Sequence, residues 1–149
     1  MTDNDEYFMH QALYEAEKAL EDNEVPVGAV LVKEKKILQR AYNQTLLKKD
    51  PTAHAEVLAI RAACYAFHNH RIPGCDLYVT LEPCAMCLGA LIQARIKRLI
   101  FGAYDPKAGA VKSIMRFPFE KTNHRIEIKG GILEAECGKI LKDFFKAKR

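Results

Sequence analysis

Residues 27–43 read VGAVLV-KEKK-ILQRAYN. The first six are nearly all apolar and rich in β-branched side chains, as a strand buried on both faces requires. The four charged residues that follow form a polar turn, and residues 37–43 are a second strand. Two such runs across a short polar turn predict a hairpin, with Asn43 at its end, facing a cleft. Outward from this hairpin, helices alternate with short apolar strands, which predicts a layered α/β sheet. The hairpin argues against a purely parallel sheet, so a mixed one is expected.

Before the hairpin, residues 5–22 carry Phe8, Ala12, Ala16, Ala19 and Leu20 on one helical face, with Asp3 as N-cap. After it, Pro51, Thr52 and Glu56 mark a helix start, Thr52 supplying the capping hydroxyl, and the helix runs to Phe67. Residues 77–81 are a strand, 85–94 a helix, 98–101 a strand, 105–113 a loop or short helix, and 126–128 a strand. A last helix, residues 134–146, turns Ile140, Leu141, Phe144 and Phe145 inward.

The chain of 149 residues suits one compact domain, residues 1–149. Its 49% hydrophobic and 28% charged residues place it among ordinary globular proteins and outside the disordered and membrane classes. The acidic start, with neither a basic region nor an apolar run, does not match a secretory signal, so a cytoplasmic protein with no membrane contact is expected. An odd count of five cysteines speaks against a disulfide framework. A net charge of +4 leaves a polyanionic partner open without requiring one.

Two motifs carry chemistry, His54-Ala55-Glu56 and Pro83-Cys84-Ala85-Met86-Cys87, each at an expected helix start. Imidazole and thiolate are the donors that zinc prefers, and a helix N-terminus favours thiolate. Three protein ligands leave a fourth position to water, which is the catalytic arrangement. Glu56 stands two residues from His54, where a carboxyl can move protons without ligating. A Cys-x-x-Cys alone also suits a redox pair or a closed structural site completed by Cys64, Cys75, His68 or His70; none of these shows zinc-finger spacing. His-x-Glu together with Pro-Cys-x-x-Cys is the signature of zinc deaminases that act on nucleobases.

With the segments Val25–Val30, Asn43, Phe101–Ala103, Asp105–Lys107, Asn123–Arg125 and Asp143–Phe145, the chain resembles the bacterial tRNA adenosine deaminases over nearly its whole length. The resemblance implies a three-layer α/β/α cytidine-deaminase-like fold with a central mixed sheet of five strands. It implies a homodimer with one zinc ion per subunit and conversion of adenosine to inosine at the wobble position of a tRNA anticodon loop. By the same resemblance His54, Cys84 and Cys87 are zinc ligands and Glu56 is the proton shuttle. Asn43 hydrogen-bonds the flipped base, and Pro26 and Val27 form part of the wall it packs on. Asp105, Lys107, Phe145 and Arg149 approach the anticodon loop. Ala108 departs from the pattern, standing where a polar residue or glycine is common. A deaminase of a free base or nucleoside, such as guanine or cytidine, would carry the same zinc machinery. Lys142, Lys146, Lys148 and Arg149 near Phe144 and Phe145 suit either phosphate contacts or a solvated helix end.

Overall fold

A computed structural model describes residues 2–148, with side chains from residue 4 onward. The elements are α1 (Thr2–Glu21), β1 (Gly28–Lys33), β2 (Lys36–Tyr42), α2 (Ala55–Phe67), β3 (Asp76–Leu81), α3 (Ala85–Ala94), β4 (Arg98–Ala103), β5 (Glu127–Lys129) and α4 (Glu134–Ala147). The strands form one sheet in the order β2-β1-β3-β4-β5. β1 pairs antiparallel with both β2 and β3, while β3–β4 and β4–β5 are parallel. The sheet is therefore mixed, and the expected hairpin is its antiparallel edge. Strand and helix limits differ from the sequence expectations by one or two residues, except that α1 begins at Thr2.

Side chains on a strand alternate between faces, and the core divides accordingly. Ala29, Leu31, Leu77, Val79, Leu99 and Phe101 pack with α2 and α3 on one side. Val30, Val32, Tyr78 and Ile100 pack with Phe8, Met9 and Ala12 of α1 and Cys137 of α4 on the other. This is a three-layer α/β/α arrangement. Gly28 is where α1 crosses the sheet: a Cβ there would collide with the backbone of Ala12 and Ala16, so α1 lies close only because the side chain is absent. Among the described residues, no helix is long and apolar enough to cross a membrane.

Three local expectations are corrected. Asp3 lies inside the first turn of α1, because the helix starts before it. Leu20, expected on the buried face, is exposed; it sits at the edge of the apolar stripe in the last turn, and Met9 completes the buried stripe instead. Phe145, expected inward, is exposed as well: α4 buries Cys137 and Leu141, holds Ile140 and Phe144 half-buried, and leaves Phe145 on its outer side.

A polar cluster ties α1 to the sheet on the edge where β3 and β4 begin. Buried Asp5 accepts hydrogen bonds from Tyr78 Oη at 2.7 Å, Arg98 Nη2 at 3.1 Å and Lys129 Nζ at 3.1 Å. Arg98 Nη1 also reaches Asp76 at 3.2 Å. Burial alone would raise the Asp5 carboxyl, but bonds from Tyr78, Arg98 and Lys129 outweigh it and hold the group below its ordinary range. A carboxyl depressed on folding stabilises the fold above its unfolded pKa, and that contribution is lost as pH falls through the folded one. Asp5→Asn is expected to cost about 3 kcal/mol at neutral pH by stranding charged partners. Urea unfolding as a function of pH should show the deficit shrinking only on the acid side of the usual carboxyl range. A deficit that does not change with pH would contradict this assignment.

Candidate active site

The ends of the strands decide where the motifs meet. β1 runs against β3, so the start of β1, the end of β2 and the end of β3 lie on one edge of the sheet. Gly28 N donates to Thr80 Oγ1 at 3.1 Å and fixes that edge. Past β3, the chain turns through Glu82 and Pro83 into α3, and past β2 it loops through residues 43–54 into α2.

His54 and Cys84 occupy the same position on two different helices. Each is an N-cap with extended backbone, φ −72° and ψ 152° for His54, φ −81° and ψ 172° for Cys84. Neither side chain caps its own helix. They turn toward each other instead, with His54 Nδ1 3.7 Å from Cys84 Sγ and 3.5 Å from Cys87 Sγ. Thr52, expected to cap α2, bonds Asp50 through its hydroxyl at 2.7 Å and so stiffens the approach to His54. Cys87 stands in the first turn of α3, where side chains lean back toward the N-terminus. The three donor atoms lie within 4.8 Å of one another, the one such group among the described residues.

The donor set fits zinc: one imidazole and two sulfurs, at two helix starts whose free peptide N–H groups favour negative charge. The Cys84 thiol is pulled down to about 4, chiefly by a hydrogen bond from Cys87, with His54 adding to it against the cost of burial. Cys87, donor of that bond and buried, is pushed up. The His54 imidazole is raised, first by its bond with Cys84. Glu56 lies beside the cluster, almost fully buried, and burial pushes its carboxyl up from the ordinary range.

A cleft of about 230 Å³ opens over these groups. His54, Glu56 and Cys84 line it, with Asn43, Val27 and Asp105. Pro26 is buried but Val25 takes its place on the wall. Asn43 Nδ2 donates to Val25 O at 3.4 Å, while its Oδ1 is buried with no partner. The Asp105 carboxylate is engaged by the backbone N–H groups of Lys107 and Ala108, at 3.0 and 3.3 Å. Exposed Lys107 reaches over the exposed Phe145 ring, 5.9 Å from its centroid. Arg149 lies outside the described residues. Cys64, Cys75 and Cys137 are free thiols away from the donor set, and His10, His68 and His70 are exposed. His124 Nε2 donates to Ile96 O at 2.7 Å and braces the loop before β5.

Two carboxylates that shape the cleft are not singled out by the motifs. Glu24 is fully buried and accepts from Leu46 N and Leu47 N at 3.1 and 2.7 Å, ordering the loop between β2 and α2. Glu82, also buried, receives backbone N–H groups from residues 105–113. For Glu82 the signal is an acid set between apolar Leu81 and Pro83; Glu24 follows Glu21-Asp22-Asn23 and carries no such mark.

The family model for MafB19-like deaminases matches residues 2–149. A tRNA-specific adenosine deaminase of Agrobacterium fabrum is 50% identical over 144 residues, covering 96% of this chain and 95% of its own. One from Bacillus subtilis is 46% identical, covering 97% and 91%. The chain belongs to the tRNA-specific adenosine deaminase family. A solved structure from work on A-to-I editing by tRNA:A34 deaminases superposes on this deaminase with a TM-score of 0.86 at 48% identity, covering 91% of this chain and 99% of that one.

Replacing Cys84 by Ala in this deaminase is expected to abolish stoichiometric zinc, while Cys64→Ala keeps it. Elemental analysis of the purified variants is the check, and normal zinc in Cys84→Ala would overturn the ligand set.

Proposed function

We propose that the chain hydrolyses adenosine to inosine at the wobble position of tRNA, with one zinc ion per subunit held by His54, Cys84 and Cys87. The observation that carries this is the buried, unpartnered Asn43 Oδ1 in a cleft that also holds Glu56 and the His/Cys/Cys donor set. A buried acceptor left unpaired is costly, so it calls for an N–H or O–H from a ligand. Drug-sized ligands occupy sites of roughly 300–1,000 Å³. This cleft is smaller and suits one base ring, leaving ribose and phosphates outside.

When bound, zinc lowers the pKa of a water to about 7 and makes hydroxide available at neutral pH. Glu56 does the proton work. Burial favours the protonated form of the Glu56 carboxyl, which makes it a better proton acceptor than an exposed carboxylate. As hydroxide adds at C6, Glu56 takes the proton lost by water and delivers it to ring N1. It then moves the second proton to the exocyclic nitrogen, which leaves as ammonia. Asn43 holds the base edge, and Val25 and Val27 supply the apolar wall. Asp105 fixes the neighbouring loop, and Lys107 and Phe145 meet the RNA outside the cleft. A base in a single-stranded loop costs less to turn out than a paired one, which suits an anticodon loop.

Exposed Tyr65 and Phe67 of α2 and Met86 of α3 offer apolar surface that a second copy of the chain would cover, consistent with a homodimer. The free thiols suit a reducing compartment, consistent with the cytoplasm.

Incubation with an anticodon stem-loop bearing a wobble adenosine, read as inosine by sequencing, tests the substrate. Turnover of free guanine or cytidine, with none on the stem-loop, would instead assign a base or nucleoside deaminase. Glu56→Ala is expected to retain one zinc per chain and to lose about 10³-fold in kcat. Activity close to that of the parent chain would remove Glu56 from the role.

A further inference from the structure

We infer that Glu82 is a positioning residue: its carboxylate fastens the 105–113 loop over the cleft, and through that loop sets how firmly the target base is held. The kinetic part of this rests on the deamination proposed above; the structural part does not.

Glu82 is 2% exposed. Its Oε1 accepts from Asp105 N at 3.0 Å and from the Ser113 hydroxyl. Its Oε2 accepts from Val111 N at 3.0 Å, Lys112 N at 2.7 Å and Ser113 N at 3.1 Å. These bonds use up the carboxylate's acceptor sites, of which there are about four, and all of them come from one loop. Peptide dipoles, rather than cations, surround this charge. The loop backbone also comes within touching distance, since a Cβ on Gly109 would collide with the Glu82 carboxylate. Ala110 N adds a bond to Pro83 O at 2.9 Å. The same loop supplies Asp105 and Ala108 to the cleft wall and carries Lys107 beside it. Glu82 itself lines the cleft and sits two residues before Cys84. One buried group thus sets the distance between the zinc-ligand segment and the opposite wall.

A glutamine can keep an oxygen toward the Val111, Lys112 and Ser113 amides and offer its NH2 to the Ser113 hydroxyl. It then faces Asp105 N–H with a second donor, so only that bond is lost. An alanine loses all five.

The test compares Glu82→Gln and Glu82→Ala with the parent chain by amide hydrogen exchange, zinc content and steady-state kinetics. In Glu82→Ala, exchange at Asp105, Val111, Lys112 and Ser113 is expected to rise about 10–100-fold, as the loss of charge-assisted bonds implies. In Glu82→Gln the rise is confined to Asp105. Both variants keep one zinc per chain. KM rises about tenfold in Glu82→Ala while kcat falls less, and glutamine recovers most of the loss. Unchanged exchange in Glu82→Ala would overturn the proposal. So would loosened amides with KM and kcat unchanged, which marks a purely structural clamp, or zinc lost in step with activity, which marks a ligand anchor. Kinetics are read on whichever substrate the parent chain turns over, so a parent inactive on the stem-loop refutes the substrate assignment and leaves Glu82 still judged by exchange and zinc content.

Discussion

The antiparallel pairing of β1 with β3 is the constraint on which the site depends. It brings the start of one strand and the end of the other to the same edge of the sheet. β2, antiparallel to β1 in turn, ends there too and delivers Asn43. From that edge the chain leaves twice into helices, once through His54 and once through Cys84. If β1 ran parallel to β3, Val25 and Val27 would lie at the far edge, and the donor cluster would have no wall. In open α/β sheets ligands gather beyond the carboxyl ends of the strands. Here the hairpin adds a further strand start to that edge, so the cleft is enclosed by four segments distant in sequence.

The same edge shows how donors decide the fate of buried acids. Glu56 and Glu82 are both nearly inaccessible and both line the cleft. Burial raises Glu56, whose few compensating contacts do not reverse the effect. Burial works in the same sense on Glu82, yet the Ser113 hydroxyl and backbone N–H groups of Lys112, Asp105 and Ser113 carry it below the ordinary range. One carboxyl is pushed toward its protonated form; the other is held ionised and fixes a loop. Asp5, at the far edge, reaches the Glu82 outcome with a hydroxyl and cations in place of peptide dipoles. Hydrogen-bond supply, more than depth, separates the three.

Which of these features the sequence discloses follows from the kind of interaction each depends on. The strands are legible because β-branched runs have few other uses, and the donor set because imidazole and paired thiols at two helix starts are a rare combination. The fate of Leu20 and Phe145 is not, since helical periodicity gives a stripe but not how far the sheet beneath it extends. Spacing points both inward, and both are exposed. The capping of α2 misleads for a different reason: Thr52 has the right chemistry, but Asp50 takes its hydroxyl, and the helix starts after His54. Glu24 and Glu82 act on segments more than twenty residues away through backbone N–H groups, which carry no sequence identity. Only Glu82, set between Leu81 and Pro83, is marked by its neighbours; Glu24 ends the polar run Glu21-Asp22-Asn23 and looks like part of it.

On the proposed reading, a cleft sized for a base also limits what a metal centre held by His54, Cys84 and Cys87 could discriminate. In the proposed reaction it would sense ring edges through Asn43 and the apolar wall that line it. Recognition of a polynucleotide in that reaction would fall to surface outside the cleft, where the exposed Lys107–Phe145 pair lies. The 105–113 loop, held by Glu82, joins those regions, while Glu24 holds the segment after β2 that supplies another part of the cleft wall. For the proposed reaction, rigid loops would let binding energy collected on the RNA backbone be used to place the base against Glu56, whereas loose ones would dissipate it in loop motion. Glu24 and Glu82 are both buried, a costly arrangement in a small α/β fold, and both serve there to order loops at the cleft, which is what such a coupling would require.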